Sequence, residues 1–373
     1  MSEKNMPIIS VADFSEIIKM QLAEHNYRPI FGLGKGGIGK TESIHDLAKE
    51  LGIGYVDIRL LLYTETDLKG IPYPNAEHTK TIWLENDILP TAERDGKRGI
   101  LVLDEITSAQ RSVRTAAYQL LNERRLGSYV LPEEWLIVCL GNGEEDGGDY
   151  QGMEGNFANR CSVFNVVHEV DTWKNWAFGH NINPLVTAYI NFKPMDLHSY
   201  NPEDETEIVF ASPRSWVAVS NILNASKVNP DDRIMSSRII ANLGQRVGLQ
   251  FMAFCRYKDR AVNPEQIVKN GEKPKIESAE VVNITVQAVI KLISDKITLD
   301  LSSGNTVQSD TVQYVVNAIK WLMSLKQEYA VMGFRDLVAQ NRNVITQIIL
   351  NPNVQKLCPE LREFQLKNSA IFV

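Results

Sequence analysis

Eight residues, Gly34-Lys35-Gly36-Gly37-Ile38-Gly39-Lys40-Thr41, fill the spacing Gly-x4-Gly-Lys-[Ser/Thr] completely. Such a loop needs an extended run before it and a helix after it. Ile30 to Leu33 leads directly into the glycines, and from Thr41 the residues Ile44, Leu47, Ala48 and Leu51 share one helical face until Gly52 stops it. Glycines let the backbone curl until successive N–H groups point inward at phosphate oxygens. The positive end of the following helix lies beneath them. Lys40 would bring a mobile charge to the β- and γ-phosphates, and the Thr41 hydroxyl would ligate Mg²⁺. The expected contacts of a nucleoside triphosphate are therefore Gly34, Gly36, Gly37, Ile38, Gly39, Lys40 and Thr41.

Further on, the apolar run Ile100 to Leu103 ends in Asp104-Glu105. A buried strand that delivers carboxylates to its end beside a phosphate loop supplies the other half of this chemistry. Asp104 would hold Mg²⁺ directly or through water, and Glu105 would orient and deprotonate an attacking water. The plainer reading is an acidic pair opening a helix. Strand and helix signals alternate through this half: Tyr55 to Ile58, Trp135 to Leu140 and Val163 to Val167 bring the count to five strands, the pattern of a parallel sheet wrapped by helices. Ser108 is expected to cap a helix that ends near Gly127.

From about Asp171 the β-branched runs give way to helical periodicity, first around Val282 to Ile293 and again from about Ser309 to Tyr329. Asn263 to Lys275 reads as a linker or surface loop. At 373 residues the chain exceeds what one core usually organises. Three later residues suit charge that spreads over a γ-phosphate: Asn142 after an apolar strand, Arg160 just before another, and Arg214 at a helix start. Taken singly, each has an ordinary reading as a turn amide or a solvated charge.

The balance of 39 Lys+Arg against 46 Asp+Glu, net −7, argues against a surface for duplex nucleic acid, which needs clustered basic residues. The longest apolar runs are strand-length, short of the roughly 18 residues a membrane helix needs. The first residues lack the basic start and apolar stretch of a secretory signal, so a cytoplasmic protein is expected. Cys139, Cys161, Cys255 and Cys358 lie far apart and read as buried reduced thiols.

Together these residues resemble the AAA+ ATPases, and most of all their MoxR and dynein-related branch. Beyond the phosphate loop, the likeness rests on Asp67-Leu68-Lys69-Gly70, the stretch Leu101 to Glu123, Leu131-Pro132-Glu133-Glu134, Ala158-Asn159-Arg160 and Ser212-Pro213-Arg214. It is specific from Gly34 to Arg160, continues more weakly to about Arg260, and is faint beyond. Cys161 departs from the Phe common at that place in the branch. The resemblance implies an α/β P-loop fold with a five-stranded parallel sheet in 1–170, an all-helical lid in 171–260 and a helical extension in 261–373. It also implies ATP hydrolysis with Mg²⁺, with Asn142 as the sensor-1 residue, Arg214 as the sensor-2 arginine, and Arg160 as an arginine finger for a neighbouring subunit. Members assemble as rings, usually of six like subunits, and remodel protein clients, often beside a von Willebrand factor A-domain protein. The implied chain is thus a chaperone-like ATPase with a protein client; from charge and apolar run length, no membrane partner is expected and nucleic acid is disfavoured.

Three other readings compete. Lys35 to Thr41 also matches the deviant P-loop of the ParA, MinD and nitrogenase iron-protein group, where the first lysine reaches across a dimer; that group has no use for Asp104-Glu105 followed by Asn142, Arg160 and Arg214. A nucleic-acid motor of the same branch could hide its basic charge in a pore. A module that only senses nucleotide would not need Lys40, Thr41, Asp104 and Glu105 all intact. Tyr63, Tyr73 and Trp83 are candidates for gripping a client in a pore, and the glycine- and acid-rich loop Gly143 to Gly155 reads as a connection without calcium-ligand spacing.

Overall fold

The computed structural model describes residues 6–84, 87–143, 159–201, 208–226, 229–304, 306–358, 361 and 368. Two compact units divide the chain, Met1–Glu169 and Val170–Val373.

The first unit is built on a parallel sheet. Its strands are β1 (Ile8–Ser10), β2 (Ile30–Leu33), β3 (Gly54–Arg59), β6 (Arg98–Asp104), β9 (Glu134–Gly141) and β10 (Ser162–Val167), in the spatial order β1-β10-β2-β9-β6-β3. Every pairing is parallel. Two antiparallel pairs stand apart from it, β4 (Ile71–Pro74) with β5 (Thr81–Leu84) and β7 (Arg125–Leu126) with β8 (Tyr129–Val130). Burial on both faces explains the near-continuous apolar runs of the central strands. Because side chains alternate along a strand, Ile100, Val102, Leu136, Val138 and Leu140 join one core with Phe14, Ile18, Ile44 and Leu47. The intervening Leu101, Leu103, Ile137 and Cys139 join another with Val113, Ala117 and Leu120. The first core is closed by helices α1 (Val11–Ala23) and α2 (Lys40–Leu51). Short helices α3 (Glu65–Lys69) and α4 (Ala92–Asp95) follow, and α5 (Arg111–Glu123) closes the second core.

The sheet has six strands where five were expected. The extra one, β1, is three residues long and pairs with β10 at the edge, Ile8 opposite Asn165; so short a run carries no period of its own. Helix α5 also differs at both ends: its N-cap is Gln110, not Ser108, and its last turn closes on Arg124 in the left-handed region (φ 53°), not near Gly127. Arg124 holds that conformation while its guanidinium donates to the carbonyls of Pro132, Glu133 and Trp135.

Among its described residues the second unit is built of helices and loops, with no strand. Val170–Gly179, Pro184–Phe192, Pro213–Ala225, Arg233–Leu243 and Gln245–Cys255 enclose a core containing Trp173, Tyr189, Trp216 and Phe251. Ala279–Gly304, Ser309–Leu322, Gln327–Gln340 and Arg342–Leu350 enclose another, with Val286, Ile290, Trp321 and Phe334. Pro264–Val268, inside the stretch read as a linker, is a short helix whose Ile267 and Val268 are fully buried. The stretch read as one helix from Ser309 to Tyr329 is two, broken at Met323 to Lys326. Among the described residues no helix is long and apolar enough to cross a membrane.

Candidate functional site

Strand order assembles the site. Because β9 lies between β2 and β6, the loops leaving their C-terminal ends are neighbours, the crevice where open α/β sheets bind ligands. Leu33 pairs with Gly141, and Leu103 with Cys139, so the glycine loop, Asn142 and Asp104-Glu105 emerge side by side. The Gly34 N–H donates to Gly141 O at 3.1 Å, and the Ile106 N–H to Leu140 O at 3.1 Å.

Within the loop, Gly37 (φ 77°) and Gly39 (φ 98°) take left-handed backbone that turns successive N–H groups inward. Gly34 is required for another reason: a Cβ there would lie 2.1 Å from the Val166 carbonyl oxygen. Ile38 is buried in the core beside α2 and anchors the loop from below. Lys40 is also buried, and its Nζ donates to the carbonyls of Gly34 at 2.5 Å and Lys35 at 2.8 Å. The ammonium thus lies across the mouth of its own loop. Thr41 Oγ1 donates to Asp104 Oδ2 at 3.0 Å, joining the start of α2 to the end of β6. Both are groups that would hold a divalent cation. The donor set — one ammonium, a curl of N–H groups, a hydroxyl and a carboxylate — fits a triphosphate with Mg²⁺.

Glu105 stands next to this point. Its backbone is in the left-handed region (φ 56°), and its N–H donates to Asp104 Oδ1 at 2.8 Å. A non-glycine residue there is uncommon and clusters at functional sites. Its carboxylate lies 3.8 Å from Arg59 Nε at the end of β3, whose register sets Arg59 opposite Asp104. Asn142 faces the glycine loop: both atoms of its amide are 4.0 Å from where a Gly36 Cβ would be. Its N–H donates to the hydroxyl of buried Thr107 at 3.2 Å, tying the turn after β9 to the turn after β6. Asp57, two residues before Arg59, has its carboxyl pushed up to about 6, by burial first and then by Asp104 and Glu105, against the pull of Arg59. Arg59 and Thr107 escaped the sequence reading, and Asp57 figured there only as the lone aspartate of the run Tyr55 to Ile58.

Arg160 lies elsewhere. It is exposed, two residues before Ser162, which pairs with Ile30 at the N-terminal edge of the sheet. From Ile30 to Gly34 is four residues at ~3.3 Å each, so about 13 Å of strand separates that edge from the glycine loop. Arg214 belongs to the second unit, exposed in the first turn of the helix Pro213–Ala225, whose capping box joins Ser212 and Ser215. Tyr73 and Trp83 are on the β4–β5 hairpin, with Tyr73 over half exposed and Trp83 turned toward Gly127; Tyr63 packs partly buried in the core under α5. Beyond Gly143, the glycine- and acid-rich loop lies outside the described residues, as does Ala158. All four cysteines are free and buried.

No family model matches the chain. Among solved structures it is similar to a candidate ATPase from Cytophaga hutchinsonii, at 11% identity over 91% of this chain and 90% of that one, with a TM-score of 0.33. It is also similar to the Thermotoga maritima RuvB Holliday junction branch migration motor, at 12% identity over 78% and 74% of the two chains, with a TM-score of 0.32. Likeness this loose carries no functional meaning.

Proposed function

We propose that the chain is an ATPase of the AAA+ type, working as a ring of like subunits to remodel a protein client in the manner of the MoxR branch. The observation that carries the ATPase reading is the Thr41–Asp104 contact of 3.0 Å beside a buried Lys40. A hydroxyl from the start of α2 and a carboxylate from the end of β6 meet, the pair of groups a magnesium nucleotide needs. Bound Mg²⁺ would draw charge from the β- and γ-phosphate oxygens.

The residues then divide the work. Lys40 leaves the carbonyls of Gly34 and Lys35 for phosphate oxygens, while the loop N–H groups bind the remaining oxygens. Glu105 accepts a proton from the attacking water once free of Arg59, and the Asn142 amide holds that water. Arg160 is too far along the sheet to serve its own loop, which supports its action on the nucleotide of a neighbouring subunit. Such a guanidinium is worth ~10³ to 10⁵ in rate in related phosphoryl transfers. Arg214 would serve as the sensor of the helical unit. The ring, the protein client and a von Willebrand factor A-domain partner rest on the resemblance in sequence.

Two variants test the site. Lys40→Ala should lose ATP binding, read by fluorescent-nucleotide titration. Glu105→Gln should bind ATP with near-normal affinity and lose at least ~10²-fold in turnover. Full turnover by Glu105→Gln protein removes the base assignment, and turnover stimulated by free DNA moves the reading to a nucleic-acid motor.

A further inference from the structure

The N-terminal edge of the sheet carries a second organised cluster. One guanidinium nitrogen of Arg28 donates to Asn159 O at 2.8 Å and to Cys161 O at 3.3 Å, the carbonyls on either side of Arg160. Backbone carbonyls bonded to a cation form the stronger class of hydrogen bond. Arg28 is itself held from behind. Gln21, buried in α1, donates to Asn26 O at 3.1 Å and Arg28 O at 2.7 Å, and the Arg28 N–H donates to Asn26 Oδ1 at 3.2 Å. The preceding Tyr27 ring lies 5.8 Å from the Arg124 guanidinium carbon. On the far side of Arg160, Cys161 is buried and the Ser162 N–H donates to Pro29 O at 2.9 Å, where the β10–β2 ladder begins. The backbone from 159 to 162 is therefore pinned at three points, while Arg160 between them is exposed.

Nothing in the P-loop crevice needs this arrangement, because it lies at the opposite end of β2. The one exposed cation it braces is Arg160. We propose that Arg28 is a positioning residue for Arg160: it holds the backbone from which Arg160 reaches the nucleotide of an adjacent copy of this chain. This rests on the ring reading above. A long side chain that must bridge two subunits gains from a backbone ordered in advance, since misplacement by about 1 Å can cost ~10²-fold in rate. Lysine at position 28 keeps a charged nitrogen able to donate to both carbonyls, but on a stem one bond shorter than the guanidinium nitrogen that makes both bonds here, and would keep only part of the brace.

The test uses full-length protein and mixed assemblies. Arg28→Ala should lower kcat for ATP about 10- to 100-fold with KM changed less than about 2-fold, and Arg28→Lys should recover part of the loss. Added to Arg160→Ala, it should cost nothing more. The deciding measurement mixes Arg28→Ala protein with Glu105→Gln protein. The first has an intact site and a misplaced arginine, the second an intact arginine and a dead site, so mixed interfaces should regain activity, as Arg160→Ala mixed with Glu105→Gln should. Rescue of Arg160→Ala without rescue of Arg28→Ala overturns the positioning role and leaves the ring reading standing. Rescue of neither overturns both. If Arg28→Ala does not fold, as judged by its melting midpoint, Arg28→Gln and Arg28→Lys take its place in the same mixtures.

Discussion

Toward the C-terminal ends of β3 and β6 three carboxylates, Asp57, Asp104 and Glu105, crowd one another. Asp57 is raised to about 6 because burial and the neighbouring Asp104 and Glu105 disfavour its charged form. Its unfolded counterpart titrates near ~4. The folded chain therefore keeps this proton to higher pH than the unfolded chain does, so stability is lost as pH rises through that window. Asp57→Asn removes the effect: relative to the parent, the variant should gain stability between about pH 4 and pH 6.5. Denaturant unfolding without Mg²⁺ at both pH values checks it; a constant difference would contradict the charge crowding. The grouping of Lys40 and Thr41 with Asp104 and Glu105 was legible in the sequence because each pair ends or follows a short apolar strand. Asp57, Arg59 and Thr107 were not, because each matters only through a strand or turn that folding places beside it.

Element by element, strands were legible wherever both faces are buried, as in β2, β6 and β9, since an unbroken apolar run of that length permits little else. Caps were less so. Ser108 is a good capping residue by type, yet its N–H closes a turn on Glu105 O, and the helix begins three residues later. The row Gly54–Gly99–Trp135 across β3, β6 and β9 shows what pattern cannot convey. The Trp135 indole lies flat over both glycines, 2.6 Å from where a Gly99 Cβ would be, and its N–H reaches Gly96 O at 2.9 Å. Gly99→Ala should thus overpack the sheet and cost ~1–3 kcal/mol, measured by urea unfolding. A neutral result would mean the indole can move aside.

For the whole molecule, the helical unit has a buried polar junction between helices far apart in sequence. Lys174 Nζ meets Asp336 Oδ1 at 2.5 Å with both side chains almost fully buried. Asp336 also accepts from Gln287 at 2.6 Å and Asn191 at 2.9 Å, and Gln287 accepts from Thr187 at 3.1 Å. Residues on both sides of position 261 share this network, so 261–373 is packed against the preceding helices through charge as well as apolar surface. Lys174→Met should cost ~3–5 kcal/mol because it strands a buried carboxylate, while Lys174→Met with Asp336→Leu should cost less than the two singles summed. Thermal and denaturant unfolding of the three variants decide it; strict additivity would mean the pair is not coupled.

By itself the sequence determined the glycine loop between strand and helix, its lysine and hydroxyl, the acidic strand end and the change from α/β to helical character, because each is written in neighbours within about ten residues. Only the tertiary structure decided that β9 stands between β2 and β6, that Arg160 lies at the opposite end of β2 from the glycine loop, and that Arg28 bonds the Asn159 carbonyl from 131 positions away. Periodicity says which face of an element is buried. It does not say which element lies across the hydrogen bonds, since that choice is made by long-range packing of surfaces that look alike in one dimension.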